Sequence, residues 1–296
     1  MEHHFSLYLV AFIDVLGQRH KLRELSLPQN NSEIERNKIL EQLRNTAGKI
    51  LRIRRDFDIA FSALSNPEPL VSNLPIEQKN ELINIMKCDI KYHSFSDSIA
   101  INVPLTYQNE YYNGILGIYA CFNALCLILT SSLIGDYPIR GGVEIGPCIS
   151  MSETEVYGSA LERAHYLEST VADYPRIVVG RELLDYIIAI EKVEIKSNFD
   201  KMAKHFAEQT RKLIMMDTDG RLFLDFLSDE VQTLASDVSI EEIYSKLEQF
   251  IYSSLKSFYG IDDKLYKRYV RLSNYVQIKK QMYLTRMNIK NSNIHQ

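Results

Sequence analysis

The 296-residue chain has no tryptophan, only four cysteines, and few residues that punctuate a backbone: 12 glycines and 8 prolines. Scarce glycine and proline exclude collagen-like and low-complexity classes. The cysteines, Cys88, Cys121, Cys126 and Cys148, form no C-x-x-C, and no histidine pair stands near them at zinc spacing. That excludes a disulfide scaffold or zinc ribbon and reads as four buried thiols in a reducing cytosol. The net charge of -4 gives no bulk electrostatic case for nucleic acid or an anionic membrane. The N-terminus "MEHHFSLYLVAFIDVLG" lacks the basic region and small-residue cleavage site of a secretory signal. Long apolar runs are scarce too. The one candidate, "GILGIYACFNALCLILTSSLIG" at 114–135, is nearly long enough to span a bilayer. It contains Asn123 and a Thr-Ser-Ser stretch and has no flanking basic cluster, so a helix buried in the core of a cytoplasmic protein is expected.

What is present is 46% hydrophobic and 24% charged, a globular composition. "SLYLVAFIDVLG" predicts a strand buried on both faces that ends at Asp14 and turns at Gly17. Apolar residues at helical spacing (Ile34, Ile39, Leu43, Ile50, Ile53) predict a long helix over 31–64. A proline-rich loop and a short helix near Glu81 to Met86 follow. "KYHSFSDSIAINV" predicts a hairpin, with strands from about 89 to 95 and through Ile99, Ile101 and Val103. After the apolar helix, "YPIRGGVEIGPCIS" is a strand whose Gly-Gly pair marks a bulge or a close backbone approach. "EVYGSALERAHYLEST" is a turn and a helix with Ala160, Ala164, Leu167 and Val171 as its buried stripe, and "PRIVVG" is a further strand. "IMMDTDGRLFLDFL" predicts a second hairpin turning at "DG". The basic, aromatic "KLYKRYVRLSNYVQIKKQ" reads as an amphipathic helix and not as a nucleic-acid contact. The alternation predicts a mixed α/β sheet with helices packed on it. The expected division is a domain over 1–195, with a helical insertion over about 20–88, and a mostly helical extension over 196–296.

Two carboxylates end sheet elements: Asp14 after the first strand, and Asp97 at what reads as an exposed hairpin tip in "YHSFSDSIAI". Strand-end aspartates ordinarily cap turns. If these two strands are neighbours, the carboxylates converge, and a converging pair attracts a cation such as Mg²⁺ or Mn²⁺. The glycine turn after Asp14 leaves backbone N–H groups for phosphate oxygens, or simply satisfies a tight turn.

"FIDVLG", "SFSDSIAI", "IRGGVEIG" and "VYGSALERAHYLES" resemble, in order and spacing, the motifs of class III nucleotidyl cyclase catalytic domains. The resemblance covers residues 7 to about 180. The chain is most similar to the Pycsar-type pyrimidine cyclases of bacterial antiphage defence, through "SDS" at the hairpin, "RGG" before the glycine strand and the "YG-x-A-L" run. It implies a ferredoxin-like sheet of class III cyclase type and a head-to-tail homodimer with composite sites. It also implies two Mn²⁺ or Mg²⁺ ions held by Asp14, Asp97 and the backbone carbonyl of Val15, with Gly17 at the substrate phosphates. The product would be a 3′,5′-cyclic nucleotide acting on a separate cyclic-nucleotide-binding effector. The "RGGVEIG" glycines do not make the chain a diguanylate cyclase, because they follow the apolar helix instead of forming the hairpin.

The base-reading positions depart from the purine pattern. His93 stands where adenylate cyclases carry lysine and guanylate cyclases glutamate. Glu155 stands where they carry aspartate or cysteine. Both suit a pyrimidine, UTP first and CTP second, although a solvent-facing His93 is the plain alternative. Glu162 and Tyr166 occupy the places of the family's ribose-orienting Asn and transition-state Arg, and neither carries positive charge. Arg163, Arg140 or Arg19 are the candidate replacements. Two other readings remain: a catalytically silent cyclase-homology domain that senses nucleotide or dimerises, and a purine cyclase with unusual base contacts.

Overall fold

The computed structural model describes residues 5–26, 32–72, 75–77, 79–80, 83, 88, 90–105, 114–152, 155–234 and 239–294. The chain begins with β1 (Phe5–Val15), the short α1 (Gln18–Arg23) and the long α2 (Glu33–Leu64). β2 (Lys91–Phe95) and β3 (Ser98–Pro104) form the hairpin, α3 (Ile115–Ile134) is the apolar helix, and β4 (Ile139–Ser150) the glycine strand. β5 (Val156–Gly158) leads into α4 (Ser159–Tyr166), which continues as one π-turn over Leu167–Val171 before β6 (Ile177–Val179). Then come α5 (Arg181–Glu191), α6 (Asn198–Lys212), β7 (Ile214–Met216), β8 (Leu222–Leu224), α7 (Asp229–Leu234), α8 (Ile240–Phe258) and α9 (Asp263–Ile294). Except for residue 83, which is helical, the short helix expected near 81–86 lies outside the described residues.

The strands form one mixed sheet in the order β2-β3-β1-β4-β6-β8-β7, with β5 paired to β4. β1 is antiparallel to both β3 and β4, so the first four strands have the order of a ferredoxin-like βαββαβ unit. This is the mixed α/β arrangement the sequence predicts. Asp14 stands opposite Ser98 on one side and Arg140 on the other, which places the ends of β1, β3 and β4 together. The sheet also runs through the boundary expected near 195, because β8 pairs with β6 at Val178 and Phe223. Three-residue strands such as β7 and β8 pair only when a neighbour offers its edge, which periodicity does not reveal.

Alternation along β1 divides its side chains between two layers. Leu9, Ala11, Ile13 and Val15 enter the large core with α2 and α3, whereas Tyr8, Val10 and Phe12 pack under Ala160 and Ala164 of α4. Asp14 follows Phe12 on this second face. α3 is long and apolar enough to cross a membrane, and 83% of its most apolar stretch is buried in the core. α2 departs from its expected stripe. Ile50, Ile53, Phe57 and Phe61 are buried, but Ile34 and Leu43 are exposed. A 32-residue helix is about 48 Å long and outruns the roughly 36 Å of an 11-residue strand, and the residues of its first half are mostly exposed.

The Gly-Gly pair marks close approach and not a bulge, since the β1–β4 register runs unbroken from Phe5↔Ile149 to Val15↔Ile139. A β-carbon at Gly142 would collide with the Ala164 carbonyl and with Leu167, and one at Gly146 would meet the N of Ala160 at 3.0 Å. Glycine at both positions lets α4 lie directly on β4.

Candidate functional site

β2 and β3 are joined by the two-residue turn Ser96–Asp97, with Ser96 at φ +49°. The sequence suggested that Asp97 is exposed at the tip; Ser96 is exposed there, but Asp97 is not. Asp97 is only 5% exposed because its carbonyl accepts the Val15 N–H at 3.1 Å, which folds the turn against the end of β1. Asp14 is 4% exposed. The Ser98 hydroxyl donates to Asp14 Oδ1 at 2.8 Å, and Arg140 Nη2 stands 3.9 Å from Asp14 Oδ2. Two buried carboxylates thus end neighbouring strands, with an arginine beside one of them. Gly17 takes φ +80° in the turn after β1, a conformation that favours glycine, and the Leu16 N–H is already donated to the Pro138 carbonyl.

Arg140 is held by a residue the sequence reading missed. Its Nε donates to Glu168 Oε1 at 2.7 Å, and Glu168 is fully buried. The expected stripe of α4 put Leu167 and Val171 inside, yet both are only half-buried. The helix changes to a π-turn at Leu167, closed by the Ala172 N–H on the Leu167 carbonyl at 2.8 Å, and Glu168 takes the inward place. A signal was present: Glu168 lies four residues after Ala164, on the same helical face. A carboxylate there is read as solvated unless its partner on β4 is known. A second buried glutamate, Glu144, accepts N–H bonds from Ile145 and from Leu183 in the first turn of α5. Burial pushes its carboxyl up, and these backbone bonds pull the other way.

The base-reading candidates lie on the same sheet face. His93 stacks on Phe95 with ring centroids 4.1 Å apart, Phe95 lies 5.9 Å from Phe12, and His165 of α4 meets the edge of Phe12 at 4.9 Å. Small Ser98 and Ala100 on the intervening β3 let these rings meet across it. Glu155 is exposed in the β4–β5 turn, where its carbonyl accepts the Met151 N–H. Lys91, two residues before His93 and on its face, donates from Nζ to Ser150 Oγ at 2.8 Å. This bond ties the His93 strand to the hairpin that carries Glu155.

Glu162 and Tyr166 are exposed on α4, and Arg163 pairs with Glu182 of α5 at the surface. Arg19 is in α1, and its side chain lies outside the described residues. Among the described residues, no group of three or more His, Cys, Asp or Glu side chains is gathered as a metal cluster.

No protein-family model matches the chain, and no curated protein matches it. Among solved structures, the chain is similar to the adenylyl cyclase CyaB of P. aeruginosa, at 13% identity over 67% of this chain and 91% of that one, with a TM-score of 0.40. It is also similar to the catalytic core of a rhodopsin-guanylyl cyclase with converted specificity in complex with ATPalphaS. There the identity is 12% over 67% of this chain and 93% of that one, with a TM-score of 0.39. A class III adenylyl cyclase-like ATP-binding protein from Pseudomonas aeruginosa matches at 13% over 86% of this chain and 45% of that one, with a TM-score of 0.37. Likeness this distant assigns no residue a role.

Proposed function

We propose that the chain is a cytoplasmic, divalent-metal-dependent nucleotide cyclase that converts a pyrimidine nucleoside triphosphate, UTP first and CTP second, to the 3′,5′-cyclic monophosphate and pyrophosphate. The observation that supports this most is the meeting of Asp14, Asp97 and Arg140 at one end of three adjacent strands. The donor set fits Mg²⁺ or Mn²⁺. Asp14 and Asp97 are hard oxygen ligands, and the Val15 carbonyl and substrate phosphates complete such a shell. When bound, such cations neutralise the triphosphate and lower the pKa of the ribose 3′-hydroxyl.

The remaining roles belong to the chain's own groups. Ser98 orients the Asp14 carboxylate through its hydroxyl. Glu168 grips Arg140 by Nε and leaves Nη2 directed toward Asp14, where a phosphate oxygen would receive it. Arg140 is therefore the preferred replacement for the family's transition-state arginine. In the reaction, the 3′-hydroxyl gives its proton to solvent and its oxygen bonds to the α-phosphorus as the bond to the β-phosphate breaks and pyrophosphate leaves. The stack on Phe95 covers one face of His93, so its ring edge and other face remain to meet a base. Glu155 accepts from the amino group of CTP, whereas His93 donates to the carbonyl of UTP. Glu162 and Tyr166 supply no positive charge, and a second copy of the chain in a head-to-tail dimer completes the site. A role in antiphage signalling through a separate effector is supported by the motif resemblance alone.

One observation favours a second reading. Lys91 lies on the face of His93, so a lysine is available to a purine edge, and ATP is the alternative substrate. Incubating the protein with all four ribonucleoside triphosphates in Mn²⁺, beside an Asp97→Ala control, separates the readings by mass spectrometry. Cyclic UMP or CMP lost in the variant supports the pyrimidine cyclase, and cyclic AMP alone supports the purine reading. Metal-dependent nucleotide binding with no cyclic product overturns both in favour of a silent sensor.

A further inference from the structure

On the sheet face opposite Asp14, a cavity of about 500 Å³ opens between α2, α3, α7 and α8. Its size is that of a small-molecule site. Leu127 and Ile134 of α3, Phe226, Val231, and Ile240 and Ile243 of α8 make its walls. Several polar groups of the lining are already engaged within the chain. The Thr130 hydroxyl bonds the Cys126 carbonyl at 3.0 Å, and Gln232 Nε2 bonds the Leu227 carbonyl at 2.8 Å and the Tyr244 hydroxyl at 3.3 Å. The interior thus asks for an apolar occupant with no hydrogen bonds to make.

The rim carries charge. Arg55 is paired with its neighbour Asp56 at 2.8 Å, and Lys246 with Glu242 at 2.7 Å, so these charges offset one another. Arg52 differs. Its guanidinium lies 5.7 Å above the Tyr137 ring, and among the described residues no carboxylate pairs with it. Among the described residues the rim therefore has an excess of one positive charge over an apolar cleft. A methylene is about the size of a water, whose share of liquid volume is about 30 Å³, so the cleft accommodates a chain of roughly twelve to sixteen carbons.

We propose that this cleft binds a free single-chain carboxylate of the fatty-acid class, with the chain between α3 and α8 and the carboxylate at Arg52. The site is separate from the cyclase reading and stands whether or not that reading holds. Calorimetry on the full chain tests it, using dodecanoate below its micellar concentration and dodecylammonium as the oppositely charged control. The expected result is saturable one-to-one binding of dodecanoate, with dodecylammonium at least about tenfold weaker, as one charge-assisted hydrogen bond requires. Arg52→Glu, a surface change, should weaken dodecanoate at least about tenfold and reverse the preference between the two. Ser131→Phe, at the cavity edge, should abolish binding while melting like the parent. If Ser131→Phe fails to fold, Arg52→Glu carries the test alone. No saturable dodecanoate binding, equal binding of the two amphiphiles, or dodecanoate binding unchanged in Arg52→Glu overturns the proposal.

Discussion

Arg140 and Arg176 are both drawn out of solvent by carboxylates, but to different degrees. Arg176 is fully buried, and all five of its N–H groups are used. Nε bonds the Ala172 carbonyl at 3.0 Å, and Nη2 bonds the Val171 carbonyl at 3.0 Å and Asp219 at 2.7 Å. Nη1 bonds Asp217 and Asp219. Arg271 of α9 joins the same acids, with 2.6 Å to Asp219. Arg140 has one short bond, to Glu168, and stands beyond hydrogen-bond range of Asp14. A saturated guanidinium fastens segments together. One gripped at a single edge still has donors for a ligand oxygen. The comparison separates a structural lock, which binds the end of the π-turn and the β7–β8 hairpin to α9, from an arginine that keeps donors for a ligand, the role proposed for Arg140.

Removing the lock should have the largest effect on stability. Arg176→Met leaves Asp217 and Asp219 without their central partner and should cost about 3–5 kcal/mol in urea unfolding. A loss under about 1 kcal/mol would mean that Arg271 alone holds the acids. Arg140→Gln sharpens the contrast, since it removes the 2.7 Å charge-assisted bond to the buried Glu168 and should cost about 3 kcal/mol. Adding Glu168→Gln should restore most of that stability. On the proposed cyclase reading, turnover should stay roughly 10²–10³-fold down in both variants, because that reading aims the lost charge at the substrate. Recovery of turnover with stability would return Arg140 to the structural class.

The acid side of the lock gives a pH prediction. Burial alone pushes the Asp219 carboxyl up, but hydrogen bonds from Arg176, Arg271 and the Arg221 N–H outweigh it and hold it well below the usual carboxylate range. Asp217 is lowered by the Tyr174 hydroxyl, the Thr218 N–H and Arg176 against the same burial. A folded pKa below the unfolded one contributes stability above the unfolded pKa and loses it as pH falls through the folded pKa. Melting temperature should therefore fall as pH drops below about 4, and Arg271→Gln should flatten that fall. A variant curve parallel to the parent's would show that Arg271 does not set these pKa values. The smallest effect belongs to Arg163→Ala. Its pair with Glu182 is 41% and 55% exposed, worth about 0.5 kcal/mol or less, and turnover should not change. A large loss of turnover there would move the proposed catalytic charge from Arg140 to Arg163.

Much of the fold was legible because it rests on local patterns. The apolar run of β1, the hairpin around Asp97 and the apolar helix α3 each announce themselves by period or by length. The basic stretch near the C-terminus proved to be α9, whose charges face acids within the chain: Lys279 bonds Asp225 at 2.6 Å and Lys280 bonds Glu248 at 2.8 Å. The candidate site was legible only as residues. That Asp14 and Asp97 end neighbouring elements follows from strand order, and "FIDVLG" and "SFSDS" state their positions without stating that β3 pairs with β1. The inward turn of Glu168, the grip of Lys91 on Ser150 and the full burial of Arg176 left no local trace that a reader would trust.

The amino-acid sequence by itself determined the alternation of elements, the two strand-end aspartates and the glycines that admit α4 onto β4. These depend on side-chain periodicity and backbone freedom, which act within a few residues. Only the tertiary structure decided which arginine stands beside Asp14, that Asp97 is sheltered, and that the sheet continues through β8 into the C-terminal third. Those outcomes depend on charges and strand edges brought together across long stretches of chain. A lone carboxylate or a three-residue strand takes its meaning from a partner that local sequence does not name.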